Sequence, residues 1–467
     1  MPDERFEDHL RHPRGRGREP AGAASGAAGG AACGDLVRVD VAVERGHVAA
    51  AGFEASGCGA MIAAASAAVE LVEGAGILDA VRIGSPQIAD ELGGLSAGKL
   101  HAADLASDAL HRALGAAVRT GGALAPEPGR TLVAMSGGVD SAVAALLCAR
   151  DGLDVAAVTL ELWADPGYDG EASCCSAAAV RSARVVAHSL GLPHFTLDLR
   201  DEFRAGVVEP WLGEHADGLT PNPCVRCNGH VRLDAMLDFA DRLGAATLST
   251  GHYARRTDDG LLRLAADPAK DQTYMLAALS RHALQRLRFP LGEHRKDDVR
   301  ALAREAGLAV ARKPDSQDLC FLAGTGRAAF LARHGGLRER PGDIVDRDGS
   351  VLGRHRGHHG FTVGQRKGIG VAAREALYVL ATDARANTVT VGPRAQLATR
   401  TVRVRGLRMH GREPDAVRLR YRSPAVGCRL DGDEIHLDEP FHGVAPGQTA
   451  VFLRGDAVVG CATIASS

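Results

Sequence analysis

The sequence predicts a multidomain chain. It has an α+β unit at the amino terminus, a central doubly wound α/β domain on a parallel sheet, and small β units at the carboxy terminus. Three observations predict it. After about residue 130, apolar runs alternate with helical periodicity. From about Pro341 that periodicity gives way to short β runs between Gly, Pro and Asp turns. The residues before about 120 carry a pattern of their own, set off by Gly121, Pro126 and Pro128.

The central domain is the clearest. Thr131–Ala134 reads as a strand and runs into Ser136-Gly137-Gly138-Val139-Asp140-Ser141, after which AVAALLCAR reads as a helix. Two glycines let the backbone turn sharply and approach an anion, and the N–H groups of the turn and helix start then face it. The Gly-Lys-Ser/Thr ending of the other common phosphate loop is missing. Asp154–Glu161, His194–Leu199 and Ala246–Thr250 read as strands, with Ala177–Leu190 and Val231–Leu243 as helices between them. Parallel pairing with right-handed crossovers is expected, with the ligand beyond the carboxyl ends of the strands. The loop word resembles that of the ATP pyrophosphatases, which split ATP to AMP and pyrophosphate to activate a carbonyl oxygen.

Composition narrows the class. The chain has 467 residues, enough for about three domains, and 45% hydrophobic content suits globular folding. Its formal net charge of −2 requires any basic surface to be local. No apolar run reaches the ~18 residues of a membrane span, and MPDERFEDHL is charged where a signal peptide would be apolar. A cytoplasmic location without a membrane partner is therefore expected, and the 10 cysteines point to metal or sulfur chemistry more than to structural disulfides.

Two cysteine clusters carry that chemistry. In Thr220-Pro221-Asn222-Pro223-Cys224-Val225-Arg226-Cys227 the prolines stiffen a loop, presenting both thiols. Cys320 comes after Arg312-Lys313, and these basic residues, with Arg226, would favour thiolates. With the loop, these words resemble the tRNA-specific 2-thiouridylases. The match runs in order through SGGVDS, SCCS (Ser173), TPNPCVRCN, TGHYAR (Thr250), KDQTYML (Lys270), FPLGEHRK (Phe289), KPDSQDLCF (Lys313), GFTVGQRKGIG (Gly360) and RYRS (Arg420).

The resemblance implies ATP-dependent replacement of the C2 oxygen of the tRNA wobble uridine by sulfur, with Mg²⁺ as cofactor and a cysteine desulfurase or sulfur-relay protein as donor. It implies a nucleotide site of Ala134, Met135, Ser136, Gly137, Gly138, Val139, Asp140, Ser141, Leu160 and Gly251, with Asp140 organising Mg²⁺ or pyrophosphate. Cys320 would carry the persulfide and Cys227 would resolve it. Contacts to the anticodon stem-loop would come from Asn222, Pro223, Cys224, Lys270, Asp271, Gln272, Arg420 and Tyr421. Domains are expected over 130–340, 341–398 and, for a tRNA-contacting β-barrel, 399–467. A second route stays open: Cys224, Cys227 and Cys320 could hold a [4Fe–4S] cluster with one iron left for sulfide.

In the last third, alternation places Arg418, Arg420 and Arg422 on one strand face, and Arg403 and Arg405 on another, suited with Gln365-Arg366-Lys367 to RNA phosphates. Cys148, Cys174, Cys175, Cys428 and Cys461 read as packing or surface thiols.

At the amino terminus, Ala21–Ala32 reads as low-complexity and too flexible for a core element. The unit as a whole, residues 1–120 with a 121–129 linker, resembles the U-type iron–sulfur scaffold proteins. Cys33, Asp35, Cys58 and His101 match their assembly site, and Ala102 replaces its last cysteine. Two thiolates, a carboxylate and an imidazole remain enough for Zn²⁺; a docking or sulfur/metal relay role is expected, with a degenerate structural remnant as the alternative. The rival readings are a small-molecule ATP pyrophosphatase, which leaves Cys227 and Cys320 without purpose, and an iron–sulfur carrier whose ATP domain only regulates.

Overall fold

The computed structural model describes residues 4–29, 34–121, 123–165, 176–315, 319–322 and 324–466. Cys33, Cys174, Cys175 and the Ser316–Asp318 part of the Cys320 motif lie outside these residues. The amino-terminal unit is an antiparallel sheet of β1 (Ala24–Gly29), β2 (Leu36–Glu44) and β3 (His47–Ser56), packed with helices Glu4–Arg11, Gly59–Val72 and Leu100–Thr120. Alternation sends Val37, Val39 and Val41 inward. Arg45 and Gly46 make the β2–β3 turn with φ of 50° and 80°, the positive pair that matches strand twist in a two-residue hairpin.

The stretch expected to be flexible instead supplies β1, with Gly26 opposite Val39 on β2. Its small residues are the reason. A Cβ on Gly26 would come within 2.2 Å of the Ala109 carbonyl, so the strand lies flush on the Leu100–Thr120 helix, where larger side chains would hold it off.

The central sheet contains β4 (Glu127–Ala134), β5 (Asp154–Glu161), β6 (His194–Asp198), β7 (Ala245–Thr250) and the short β10 (Leu287–Arg288); a hairpin, β8 (Arg255–Arg256) and β9 (Leu262–Arg263), comes between the last two. Spatial order is β10-β7-β4-β5-β6 and all pairs are parallel. The chain steps outward from β4 through β5 to β6, then returns to the other side of β4. That reversal opens a crevice beyond the ends of β4 and β7, where ligands of open α/β sheets bind.

Next comes a four-stranded sheet of β11 (Gly342–Val345), β12 (Val351–His355), β13 (Leu377–Asp383) and β14 (Thr388–Pro393). Then β15 (Ala398–Met409), β16 (Ala416–Arg418), β17 (Val426–Asp431), β18 (Glu434–His442), β19 (Thr449–Arg454) and β20 (Ala457–Ile464) form a six-stranded barrel, closed by β15 pairing with β20. Arg403 and Arg405 alternate outward on β15 as expected. The face expected for Arg418, Arg420 and Arg422 does not form. β16 ends at Arg418, and Arg422 takes a φ of 62° in the turn beyond it.

The amino-terminal unit is not loosely tethered. Leu124 N–H donates to the Arg242 carbonyl at 2.7 Å and Glu127 N–H to Gly244 at 2.8 Å. β4 already begins at Glu127, within the expected linker. One apolar core runs from Val39 and Phe53 through Leu110 and Leu114 to Phe195 and Phe239. Cys148, Cys428 and Cys461 are buried as expected, and burial pushes the last two thiols up to about 11. Among the described residues, no helix is long and apolar enough to cross a membrane.

Burial also sets the acid response. His194 is fully buried with Nε2 on Thr159 Oγ1 at 2.8 Å, and burial, then Arg184, hold it well below the 6.5 of a free imidazole. Burial and then Arg327 bring His215, which packs edge-on to Trp211, down to about 3. The unfolded chain takes up these protons below about pH 6.5 and the folded chain refuses them. Stability should therefore fall by about 1.4 kcal/mol per pH unit for each histidine on acidification from there. Denaturant midpoints between pH 7.5 and 5.5 check this, with a shallower slope expected for His215→Gln; a midpoint independent of pH in that range would contradict it.

Candidate nucleotide and sulfur-transfer site

The phosphate-type loop leaves β4 at Ala134, with Met135 N–H donating to the Val158 carbonyl on β5 at 2.8 Å. The Ser141 hydroxyl folds the loop onto itself, accepting from Ser136 N–H at 3.1 Å and donating to the Gly138 carbonyl at 3.1 Å. Gly137 has a φ of 69°, and a Cβ there would approach the Ala179 carbonyl to 2.7 Å. Gly138 stands before the Val139–Arg150 helix as a cap without a side-chain acceptor, which leaves the first-turn N–H groups to an anion. Gly251, just past β7, lies so close that its Cβ would come within 2.7 Å of Ser141 N. Leu160, at the end of β5, is buried.

Charge gathers at the same edge. Lys296 Nζ, on the Lys296–Glu305 helix and nearly buried, contacts both Asp140 oxygens at 2.6 and 2.8 Å and Asp315 at 2.9 Å. Asp315 also pairs with Lys270 at 2.7 Å and Arg300 at 2.9 Å. Burial raises its pKa, but the hydrogen bonds from Lys270 and Lys296 outweigh that and hold it at about 2. Tyr253 Oη donates to Asp140 at 2.9 Å, and burial followed by the Asp140 charge pushes the phenol well up. Lys313, expected beside the thiols, instead donates to the Gly137 carbonyl at 2.9 Å. Sequence alone assigns no role to Lys296, Tyr253 or Asp315. Their motifs, FPLGEHRK, TGHYAR and KPDSQ, are visible there, but far apart along the chain.

The cysteines are built on a neighbouring frame. The segment expected as a loop is a short helix, Pro223–Cys227. Asn222 caps it by accepting from Cys224 N–H at 3.1 Å and Val225 N–H at 3.4 Å. Cys227 is buried rather than presented, and Cys224 is half-buried. Arg226 donates to the Gly206 carbonyl at 2.7 Å, tying this helix to the segment between Phe203 and Trp211. Cys320 opens the turn Cys320–Leu322, whose Phe321 ring packs on Trp211 at 5.2 Å and Phe203 at 5.9 Å. Cys227 and Cys320 thus attach to the same aromatic frame and to one hydrophobic core.

The barrel holds this frame. Thr220 N–H donates to the Pro446 carbonyl at 2.8 Å, Gln448 Nε2 donates to the Thr220 carbonyl at 2.6 Å, and Tyr274 Oη donates to Thr449 at 2.7 Å. Several side chains expected at tRNA have internal partners. Asp271 pairs with Arg418 at 3.0 Å, Gln272 accepts from Tyr253 N–H at 2.9 Å, and Arg420 donates to the Val363 carbonyl. Tyr421 faces Tyr274 with ring centres 5.9 Å apart.

In the amino-terminal unit, donor atoms of Asp35, Cys58 and His101 lie within 4.8 Å of one another. Asp35 is buried; its carboxylate accepts from Cys58 N–H at 2.9 Å and meets His101 Nε2 at 3.0 Å and Cys58 Sγ at 3.4 Å. Burial raises its pKa, and these contacts, the Cys58 N–H foremost, bring it below the usual value. Carboxylate, thiol and imidazole are a donor set that fits Zn²⁺. Ala102 is fully buried and offers no donor. Among the described residues this is the one group with donors so gathered; Cys224, Cys227 and Cys320 do not form another.

A parallel sheet with a glycine phosphate loop at its switch point, joined to a closed barrel, defines a nucleotide-using enzyme of the HUP class. The family described as tRNA methyl transferase HUP domain matches residues 129–324. The NifU-like N terminal domain matches 3–119, the tRNA methyl transferase PRC-barrel domain 328–393, and the aminomethyltransferase beta-barrel domain 399–464. The chain is 46% identical to the bifunctional protein NifU/MnmA of Rubrobacter xylanophilus over 98% of its own length and 97% of the relative's. It is 44% identical to the tRNA-specific 2-thiouridylase MnmA of Methylorubrum extorquens, covering 71% of this chain and 91% of that protein. The same enzyme of Thermobifida fusca is also 44% identical, covering 72% and 96%. The chain belongs to the tRNA-specific 2-thiouridylase family, in the form fused to a NifU-like domain.

Gly251→Ala tests the site's geometry. The added methyl meets Ser141 N and must displace the loop, so ATP-dependent pyrophosphate release should fall by at least about tenfold with the fold retained. Wild-type turnover in a folded variant would show that the loop is not the site.

Proposed function

We propose that this chain converts the wobble uridine of tRNA to 2-thiouridine, splitting ATP to AMP and pyrophosphate at the Ser136 loop. The observation that carries this reading is the convergence, at one sheet edge, of the loop, Gly251 and the cationic side chains of Lys270, Lys296, Arg300 and Lys313. The uracil C2 oxygen is a poor leaving group. Its attack on the α-phosphorus of ATP forms an O–P bond and expels pyrophosphate, whose charge the loop N–H groups and Lys296 neutralise. Asp140, held by Lys296 and Tyr253, anchors that lysine beside the loop, where Mg²⁺ bound with the nucleotide would supply further neutralisation of the phosphates.

Sulfur transfer comes second. The terminal sulfur of a Cys320 persulfide attacks C2, the C2–O bond breaks, and AMP leaves with the oxygen. The Cys227 thiolate then attacks Cys320 Sγ. The S–S bond to the base breaks, 2-thiouridine departs, and a Cys227–Cys320 disulfide remains for an external thiol to reduce. A cysteine desulfurase or relay protein reloads Cys320. Asp35, Cys58 and His101 would hold Zn²⁺ or an iron–sulfur precursor, there serving as a docking or relay point. Exposed Arg403 and Arg405, with Arg366 and Lys367, supply phosphate contacts to the tRNA.

Nucleoside mass analysis after incubation with tRNA, ATP, cysteine and a desulfurase tests the course. Wild type should make 2-thiouridine with one pyrophosphate per base. Cys320→Ser and Cys227→Ser should abolish the product, while single-turnover pyrophosphate release persists. Thiolation by Cys320→Ser at the wild-type rate would refute the persulfide step. Activity that requires bound iron would move the sulfur to a cluster.

A further inference from the structure

The helix Leu100–Thr120 meets the nucleotide-binding half through one stripe of residues spaced at helical turns. Asp108, almost fully buried, accepts from Arg184 Nη1 at 2.9 Å and from Arg181 Nε at 2.7 Å, both on the helix Ala177–Ser189. One turn on, Arg112 donates through Nε to Glu161 at 2.8 Å and through Nη2 to its second oxygen. One turn further, Gly115 lies so close to β6 that a Cβ would reach 2.1 Å from the Thr196 carbonyl.

Each charged contact leads to the phosphate loop. The Ala177–Ser189 helix carries Ala179, whose carbonyl supports left-handed Gly137. Glu161, 5% exposed and paired with Arg112, ends β5, the strand whose Val158 carbonyl accepts from Met135 N–H at the start of the loop. Arg184 is 4% exposed, and its Nε and Nη2 have no hydrogen-bond partner among the described residues. Asp108 is therefore its counter-charge, and losing that charge leaves a buried cation whose cheapest escape is outward, carrying its helix away from Gly137.

We propose that the amino-terminal domain buttresses the ATP site, with Asp108 and Arg112 as positioning residues for the phosphate loop, independently of any metal at Asp35, Cys58 and His101. This rests on the reading that the Ser136 loop holds the phosphates of ATP. It gives the fused domain work that needs no cysteine at position 102.

The test uses the full chain and its variants Asp108→Asn, Arg112→Gln and Arg112→Lys. Tryptophan fluorescence and thermal melting report folding, equilibrium dialysis with ATP reports binding, and tRNA-dependent pyrophosphate release reports turnover. Asp108→Asn and Arg112→Gln should weaken ATP binding and raise the KM for ATP about fivefold or more. The KM for tRNA should stay level and kcat should stay within about twofold, and Arg112→Lys should recover most of the affinity. Unchanged ATP affinity in the folded variants overturns the buttress, as does a fall in kcat alone. Should Asp108→Asn not fold, Arg112→Gln decides by the same criterion. A wild-type chain that releases no pyrophosphate with tRNA would instead remove the functional reading beneath it.

Discussion

The site depends on three backbones meeting without side chains between them. Gly137 rests on the Ala179 carbonyl and Gly251 rests on the first turn of the Val139–Arg150 helix, each at a distance that one methyl group would violate. This closeness turns the end of β4 into a cup of N–H groups, which on the proposed function is where the phosphates of ATP lie. A preorganised cup needs little rearrangement when charge develops on the leaving pyrophosphate.

Electrostatics completes what the backbone begins. Four cationic side chains, Lys270, Lys296, Arg300 and Lys313, gather around two carboxylates and one loop carbonyl. Lys296 and Asp140 are paired in a partly desolvated setting, where each would be costly alone. The pair holds the lysine in place, and on the proposed function phosphate would compete for it. Asp315, on the same network, lies five residues before Cys320 in the chain, so this charged edge and the Cys320 turn are near neighbours in sequence.

Much of this was legible in the sequence because glycine and proline act locally. SGGVDS after an apolar run, the strand Asp154–Glu161 and the turn-rich final third all formed as the pattern implied. The failures share a cause, which is tertiary context. Ala21–Ala32 lacks apolar bulk, so its sequence cannot reveal that a helix backbone awaits it; β1 exists because smallness fits there. TPNPC has turn residues, yet Asn222 and Pro223 are also a good helix start, and the helix won. The arginines at 418, 420 and 422 alternate, but the strand ends before their face can form. Lys296 and Asp315 were hidden because their partners lie far along the chain and only the sheet's switch point unites them. The amino-terminal domain's charged stripe was invisible for the same reason.

On the proposed course, this edge esterifies the C2 oxygen of a tRNA uridine before sulfur replaces it. Labelling that oxygen with ¹⁸O in the substrate tRNA and tracing it by mass spectrometry decides whether it does. Adenylation predicts one ¹⁸O in the phosphate of the AMP released for each 2-thiouridine formed, and none in pyrophosphate. Unlabelled AMP, with the label lost to water, would mean that sulfur displaced the oxygen without adenylation and would contradict it.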